Sequence, residues 1–461
     1  MTPGARITAA IEIFEAIHAG DTPAPADAVL GAYLKQRRYI GSKDRTAIQA
    51  LVYGIFRRRA RLGWWLEHAK AKALPRNLLI AYLLLVEKLN GPELRNLFDG
   101  RHYDPYPLED GEIVLADRLV THTLEHPHMS EAVLLECPYW AEEGLRAALG
   151  ERFAEELRAL NDEATTDLRV NLLLGTQEDA IAAMKRDGIF SKPALYSPIG
   201  LRLGGRPALG GTEALKSGLI EIQDEGSQLL ALLVGARPGM QVVDFCAGAG
   251  GKTLAMAALM QNKGRIVACD VNAKRLDRLA LRQRRAQAHN IERRPLASER
   301  DPWVKRHKGK FDRVLVDAPC TGTGTWRRNP DAKWGRGGID LAELTALQSS
   351  ILDSAARLVK PGGRLVYATC SLLATENEGR IAAFLADHAD FKQLSIFDIW
   401  QETVGTEAPP EGAVVDGYLR LTPACHGTDG FTAAVLERAP AAEDAPGETV
   451  GEQPEAEKSE D

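Results

Sequence analysis

No apolar stretch among the 461 residues approaches the roughly 20 that a membrane-spanning helix requires, which argues against a bilayer-spanning chain. The opening "MTPGARITAAIEIFEAIHAG" has the spacing of an amphipathic helix and lacks the apolar block of a secretory signal, so a cytoplasmic location is expected. Cysteine is scarce: Cys137, Cys246, Cys269, Cys320, Cys370 and Cys425, with no CxxC pair. That spacing excludes a disulfide framework and a thiolate zinc site, and no metal is expected. A phosphate-cradling P-loop is missing too. "GGKT" invites one, but the motif needs glycine where Cys246 stands.

The chain also lacks a uniform charge of either sign. Its net −6 is misleading, because "APAAEDAPGETVGEQPEAEKSED" at 439–461 carries eight acidic residues and one lysine. This Ala/Pro/Glu-rich end has no hydrophobic periodicity and reads as disordered. What precedes it sums to about +1, with the positive charge clustered. From Lys35 to Arg61 nine basic residues face Asp44 alone, and from Lys274 to Lys310 thirteen face four acidic ones. A charge run is ordinarily a solvated face. Two runs with Tyr39, Trp64, Trp65 and Trp303 nearby point to nucleic acid, and a monomer is the default expectation.

Three structured parts are expected. Residues 1–133 repeat apolar positions every three or four residues and read as all-helical, with Ser42 and Asp44 as caps of one long helix, "DRTAIQALVYGIFRRRARLGWWLEHA". Residues 134–235 read as a small α+β platform containing the strand "DLRVNLLL" and the helix "TQEDAIAAMKRDG". Residues 236–438 alternate strand and helix, which implies parallel pairing, right-handed crossovers and a doubly wound (Rossmann-like) α/β sheet, with "PGG" at 361–363 as a stop. Such sheets bind ligands at the carboxyl ends of their strands, where Asp244, Asp270, Asp317 and Cys370 fall.

"DFCAGAGGKT" at 244–253 is a Gly-rich strand-to-helix turn. Gly248, Gly250 and Gly251 let a ligand approach the backbone, and the helix start offers free N–H groups. Asp270, ending the next strand, can accept from both hydroxyls of a ribose. No arginine stands ready for a pyrophosphate, so an adenosine cofactor without phosphates fits better than a nicotinamide dinucleotide. Cys246 and Cys269 read as packing residues. Cys320 and Cys370 share the ligand-facing edge with Asp317. Two thiols there suit an electron-poor double bond such as that of cytosine: one adds at C6 and makes C5 nucleophilic, the other helps release the product. The residues alone leave open which does which.

Together "QDEGSQL", "DFCAGAGGKT", "DAPCTGTGTWRRNPD", "KPGGRLVYATCSLLATENE" and "PACHGTDGFTAAVLER" resemble the Sun family, also called Fmu or RsmB, of RNA cytosine-C5 methyltransferases, over about residues 160–436. Residues 1–133 resemble the NusB-like RNA-binding domain at the front of the RsmB branch, and the platform sits where that family has an RRM-like one. The resemblance implies S-adenosyl-L-methionine in the turn of Cys246, Ala247, Gly248, Ala249, Gly250, Gly251 and Lys252, with Asp270 on the ribose. It implies Asp317 beside the methyl donor and the base, Cys370 as nucleophile and Cys320 in release. Ala249 departs from the family's usual proline. The adenine contact falls within 296–301, where Ser298 is nearest by spacing and Glu299 and Asp301 have suitable chemistry. Small-subunit ribosomal RNA is the substrate so implied, with transfer RNA as the alternative. A non-catalytic RNA assembly factor on the same fold is the alternative class.

Overall fold

The computed structural model describes residues 1–19, 24–335 and 340–441. Most of the acidic end, 442–461, lies outside the described residues; Ala439 itself is held, its N–H donating to the Asp390 carbonyl at 2.7 Å.

Eight helices, from Pro3–His18 to Glu131–Leu134, enclose a core of their own among the described residues. Their apolar stripes meet there, with Ile13, Phe14, Ile48, Phe56 and Leu62 buried. The expected long helix is two, Ser42–Phe56 and Arg59–His68. Arg58 leaves helical geometry at φ −126°, ψ 18°. Beside it Arg57 turns inward and donates to the carbonyls of Asn161 (2.8 Å), Asp162 (2.9 Å) and Arg327 (2.7 Å). The capping expectation also fails: Gly41 occupies the N-cap with no side-chain bond, and Asp44 instead accepts from Arg6 at 2.8 Å.

Two further helices, Tyr139–Leu149 and Phe153–Asn161, share a core with Trp326, Leu372 and Leu373. Then follow β1 (Asp167–Val170), β2 (Ser191–Pro193), β3 (Gly200–Leu203) and β4 (Ile220–Ile222). They form an antiparallel sheet in the order β2-β3-β1-β4. Helix Gln177–Arg186 joins β1 to β2 and the short Glu213–Lys216 joins β3 to β4, which is the split βαβ arrangement of a ferredoxin-like fold. Leu168, Val170, Leu201 and Ile220 bury one sheet face against Ala180 and Met184.

After helix Glu225–Leu233 come β5 (Gln241–Asp244), β6 (Arg265–Asp270), β7 (Ile291–Pro295), β8 (Phe311–Asp317), β9 (Val359–Thr369), β10 (Phe391–Leu394), β11 (Val414–Val415), β12 (Tyr418–Leu421) and β13 (Phe431–Arg438). The order is β11-β12-β13-β9-β8-β5-β6-β7, with β10 on β13. From β7 to β9 every pairing is parallel, as the strand-helix alternation predicts. Beyond β9 the sheet is antiparallel, so it is mixed rather than wholly parallel. Residues 416–417 join β11 to β12 and residues 422–430 join β12 to β13, links too short for the crossover that parallel return requires. "PGG" is likewise no stop. β9 runs through it as a bulge, pairing Val359 with Phe311 and Arg364 with Arg313. Strand order reverses between β5 and β8, and there the carboxyl ends part to leave a crevice.

Arg57→Ala removes three charge-assisted bonds between the helical front and the rest, and an expected loss of about 2–4 kcal/mol should appear as a lower urea midpoint. Arg57→Lys should not restore it, because an ammonium cannot span the same fork of carbonyls.

Candidate active site

The crevice is a cleft of about 590 Å³. Of the residues singled out in the sequence, Cys246, Ala247, Gly248, Ala249, Gly251, Lys252, Asp270, Asp317, Cys320 and Cys370 all line it. Gly250 does not. It caps helix Gly251–Leu259 at φ +79°, and a Cβ there would meet Leu279 at 2.2 Å, so this glycine serves close packing on helix Ala273–Arg285. Gly248, at φ +56°, has open space where a Cβ would stand. Ala249 keeps its place in the turn: its carbonyl accepts from Arg282 at 2.7 Å, and Arg282 is held by the buried Glu221 of β4 at 2.9 Å.

Asp270 Oδ2 accepts from the Gly248 N–H (2.8 Å) and Oδ1 from the Asn272 N–H (2.7 Å), which fixes the carboxylate across the mouth of the turn with lone pairs to spare. Lys252 Nζ reaches Asp317 Oδ2 at 2.7 Å. Burial alone would lower the lysine's pKa, but the Asp317 charge and hydrogen bond outweigh it and the net shift is upward. Asp244 accepts from Thr253 Oγ1 at 2.6 Å, while its Oδ1 is buried without a partner. Burial first, then the charges of Asp317 and Asp270, push its carboxyl up to about 7 against the opposing effects of Thr253 and Lys252.

The two thiols meet, Sγ to Sγ, at 3.3 Å. The hydrogen bond to Cys370 and then burial raise the Cys320 pKa well above its ordinary value, and the contact geometry allows either sulfur to donate. Cys269 is wholly buried in the sheet and packs, as expected; Cys246 packs too but shows one side to the cleft. Burial raises the pKa of both.

Within 296–301 the three candidates separate. Asp301 accepts from the N–H groups of Ala297 (2.9 Å) and Trp303 (2.8 Å) and caps helix Pro302–Arg306. Ser298 accepts from the Arg300 N–H at 3.2 Å. Of the three, Glu299 lines the cleft. Sequence reasoning left four residues without roles that the fold brings in. Gln223 and Ser227 of "QDEGSQL" come to the cleft wall from the end of β4, and buried Gln348 and Glu376 lie behind the thiols. The quoted motifs contained Gln223, Ser227 and Glu376; Gln348 sits in an unremarkable helix, Leu341–Ala356.

Each basic run divides between inward and exposed cations: Lys35, Arg38 and Lys43 of the first are exposed, and Arg282 and Arg285 of the second pair with buried Glu221. In the first, Arg57 is spent inside, and Arg61 pairs with Glu136 at 2.8 Å. In the second, Lys274, Arg275, Arg278 and Arg284 stay exposed on helix Ala273–Arg285, and Arg275 lines the cleft mouth.

The family described as 16S rRNA methyltransferase RsmB/F matches residues 231–437, and the ferredoxin-like domain of RsmF/B-like methyltransferases matches 137–208. The ribosomal RNA small subunit methyltransferase B of Sodalis glossinidius (strain morsitans) is 32% identical over 406 residues, 80% of this chain and 86% of that one. The chain belongs to the RsmB/F methyltransferase family. The crystal structure of PH0851, 26% identical, matches with a TM-score of 0.78 over 95% of this RsmB/F chain and 99% of its own. That of a methyltransferase homolog protein from Pyrococcus horikoshii, 28% identical, matches at 0.56 over 67% and 97%.

The RsmB/F cofactor is S-adenosyl-L-methionine, and the cleft fits it. The open side of Gly248 gives the backbone room, Asp270 faces the mouth, and the unpartnered Oδ1 of Asp244 is an acceptor suited to a cationic ligand. Among the described residues no helix is long and apolar enough to cross a membrane, and no cluster of His, Cys, Asp and Glu could hold a metal ion.

Asp244 supplies a pH test. Its carboxyl is protonated below about 7 and ionised above, and a cationic ligand favours the ionised form. Affinity for S-adenosyl-L-methionine, measured by calorimetry from pH 6 to 8, should therefore rise with pH. In Asp244→Asn that rise should vanish.

Proposed function

We propose that this chain transfers a methyl group to C5 of a cytosine in RNA through a covalent adduct between Cys370 and C6 of the base. The observation that carries the reading is the pair of opposed thiols at 3.3 Å on the edge of the cleft that Asp317 and Lys252 also line. Bound S-adenosyl-L-methionine supplies an electrophilic methyl group on a sulfonium.

Everything else falls to the chain. An S–H from Cys320 stabilises negative charge on the Cys370 sulfur, which is a reason for attack by Cys370. Its addition at C6 pushes electron density to C5, which takes the methyl group. Removal of the C5 proton then restores the C5–C6 double bond, and the C6–S bond breaks with its electron pair returning to Cys370. Cys320, its own proton lost to solvent water, is the base that takes the C5 proton in that elimination. Asp317, tethered by Lys252, stands beside both methyl donor and base, and Glu299 meets the adenine.

The target cytosine has to leave its stack to reach the cleft. Helix Ala273–Arg285 offers the phosphate grip, with four exposed cations of which Arg275 lines the mouth. Residues 1–133 act as a NusB-like RNA-binding domain and 134–235 as an RRM-like platform, ahead of a catalytic domain at 236–438. The RNA is small-subunit ribosomal RNA, as in the names of the relatives, and the enzyme works as a cytoplasmic monomer.

Cys370→Ala should abolish methyl transfer, whereas Cys320→Ala should accumulate an RNA adduct that survives denaturing electrophoresis. An adduct formed by Cys370→Ala would reverse the assignment. Bisulfite sequencing of total RNA from a deletion strain should show one small-subunit ribosomal cytosine losing its protection; loss in transfer RNA instead would move the substrate.

A further inference from the structure

We propose that Glu376 is a positioning residue for the reaction, its one carboxylate tying the loop after β8 to the loop after β9 so that Cys320 and Cys370 stay face to face. The role rests on the two-thiol reading above. Glu376 is fully buried and takes no direct part in the steps of methyl transfer.

Its contacts fall on the residues next to the thiols. Oε1 accepts from the Thr321 N–H at 2.9 Å, one residue past Cys320. Oε2 accepts from Thr321 Oγ1 at 2.5 Å and from Ser371 Oγ, one residue past Cys370. Gln348 Nε2 braces the same carboxylate at 3.0 Å while also donating to the Pro319 carbonyl at 2.9 Å, one residue before Cys320. The residue's own backbone is pinned, its carbonyl accepting from Tyr367 OH of β9 at 2.7 Å. Four donors thus converge on one acceptor-only group. Its negative charge also contributes to holding the proton on Cys320.

A leucine cannot replace it. Its methyls offer no acceptor to the Thr321 N–H, to Gln348 or to the two hydroxyls, so the tie between the loops is lost, whereas a glutamine can keep it by donating its NH₂ to the rotatable hydroxyls of Thr321 and Ser371. Aspartate, a methylene shorter, cannot reach both loops from the same backbone position.

The test uses the full chain and diamide, a diazene that takes two hydrogens from two thiols: both S–H bonds break, one S–S bond forms, and N=N becomes HN–NH. Linking Cys320 to Cys370 requires the sulfurs to face each other, and peptide mass mapping reads its rate. In Glu376→Leu the rate should fall at least fivefold, while maleimide labelling of the exposed Cys425 stays unchanged. In parallel kcat should fall at least fivefold, with KM for RNA and Kd for S-adenosyl-L-methionine within twofold. A folded Glu376→Leu whose linking rate falls by less than fivefold overturns the proposal. Should that variant not fold, Thr321→Val, which deletes one donor to the carboxylate, is held to the same criterion. Linking involves no methyl transfer, so the measurement stands even if Cys370→Ala kept its activity and the covalent mechanism fell.

Discussion

The thiols can oppose one another because two backbones touch where neither has a side chain. The Gly324 N–H donates to the Cys370 carbonyl at 2.9 Å, and the Gly430 N–H donates to the Gly324 carbonyl at 2.8 Å. A Cβ on Gly324 would lie 2.1 Å from the Gly430 carbonyl oxygen, so any other residue at 324 forces the loop outward. That one approach laces together the segment after β8, the segment after β9 and the entry to β13. Cys320 and Cys370 take their separation from it, and Glu376 then sets their facing from behind.

Around this lacing the chain buries charge. Arg327 and Arg328 both pair with Asp429 and with Asp224, the N-cap of helix Glu225–Leu233. Buried ion pairs of this kind add little net stability once desolvation is counted, yet breaking one leaves an uncompensated charge. Their effect here is geometric. They hold the loop that carries Cys320 to the helix that enters the sheet from the platform. Glu221 makes a matching link on the other side, joining β4 through Arg282 to the carbonyl of Ala249 in the cofactor turn. The platform is therefore bolted to both halves of the cleft.

The same demand for partners divides each of the two basic runs. Buried arginine has to be hydrogen-bonded, and Arg57 meets that need with three carbonyls from two other parts of the chain. Arg61 meets it with Glu136. On helix Ala273–Arg285 the apolar residues Leu276 and Leu279 face the core, so Lys274, Arg275 and Arg278 are left to solvent and to any polyanion that approaches. Each run is therefore divided: Arg57 and Arg61, like Arg282 and Arg285, are held by buried partners, while Lys35, Arg38 and Lys43, like Lys274, Arg275 and Arg278, stay exposed.

Much of the fold is written locally. Alternation of apolar strands with helices, the glycines after β5 and the polar residues at strand ends determined a parallel-sheet core with a ligand edge holding Asp244, Asp270, Asp317, Cys320 and Cys370, because side-chain period and turn chemistry act over a few residues. The helix break at Arg57, the bulge at 361–363 and the antiparallel half of the sheet were not legible. Each depends on partners far along the chain, as Arg57 does on Arg327, 270 residues away. Likewise only the tertiary structure decided that Cys320 and Cys370 meet face to face, that Glu299 is the member of its trio on the cleft, and that Glu376 stands behind both thiols. Burial and facing distance are properties of packed surfaces, which residue order alone does not contain.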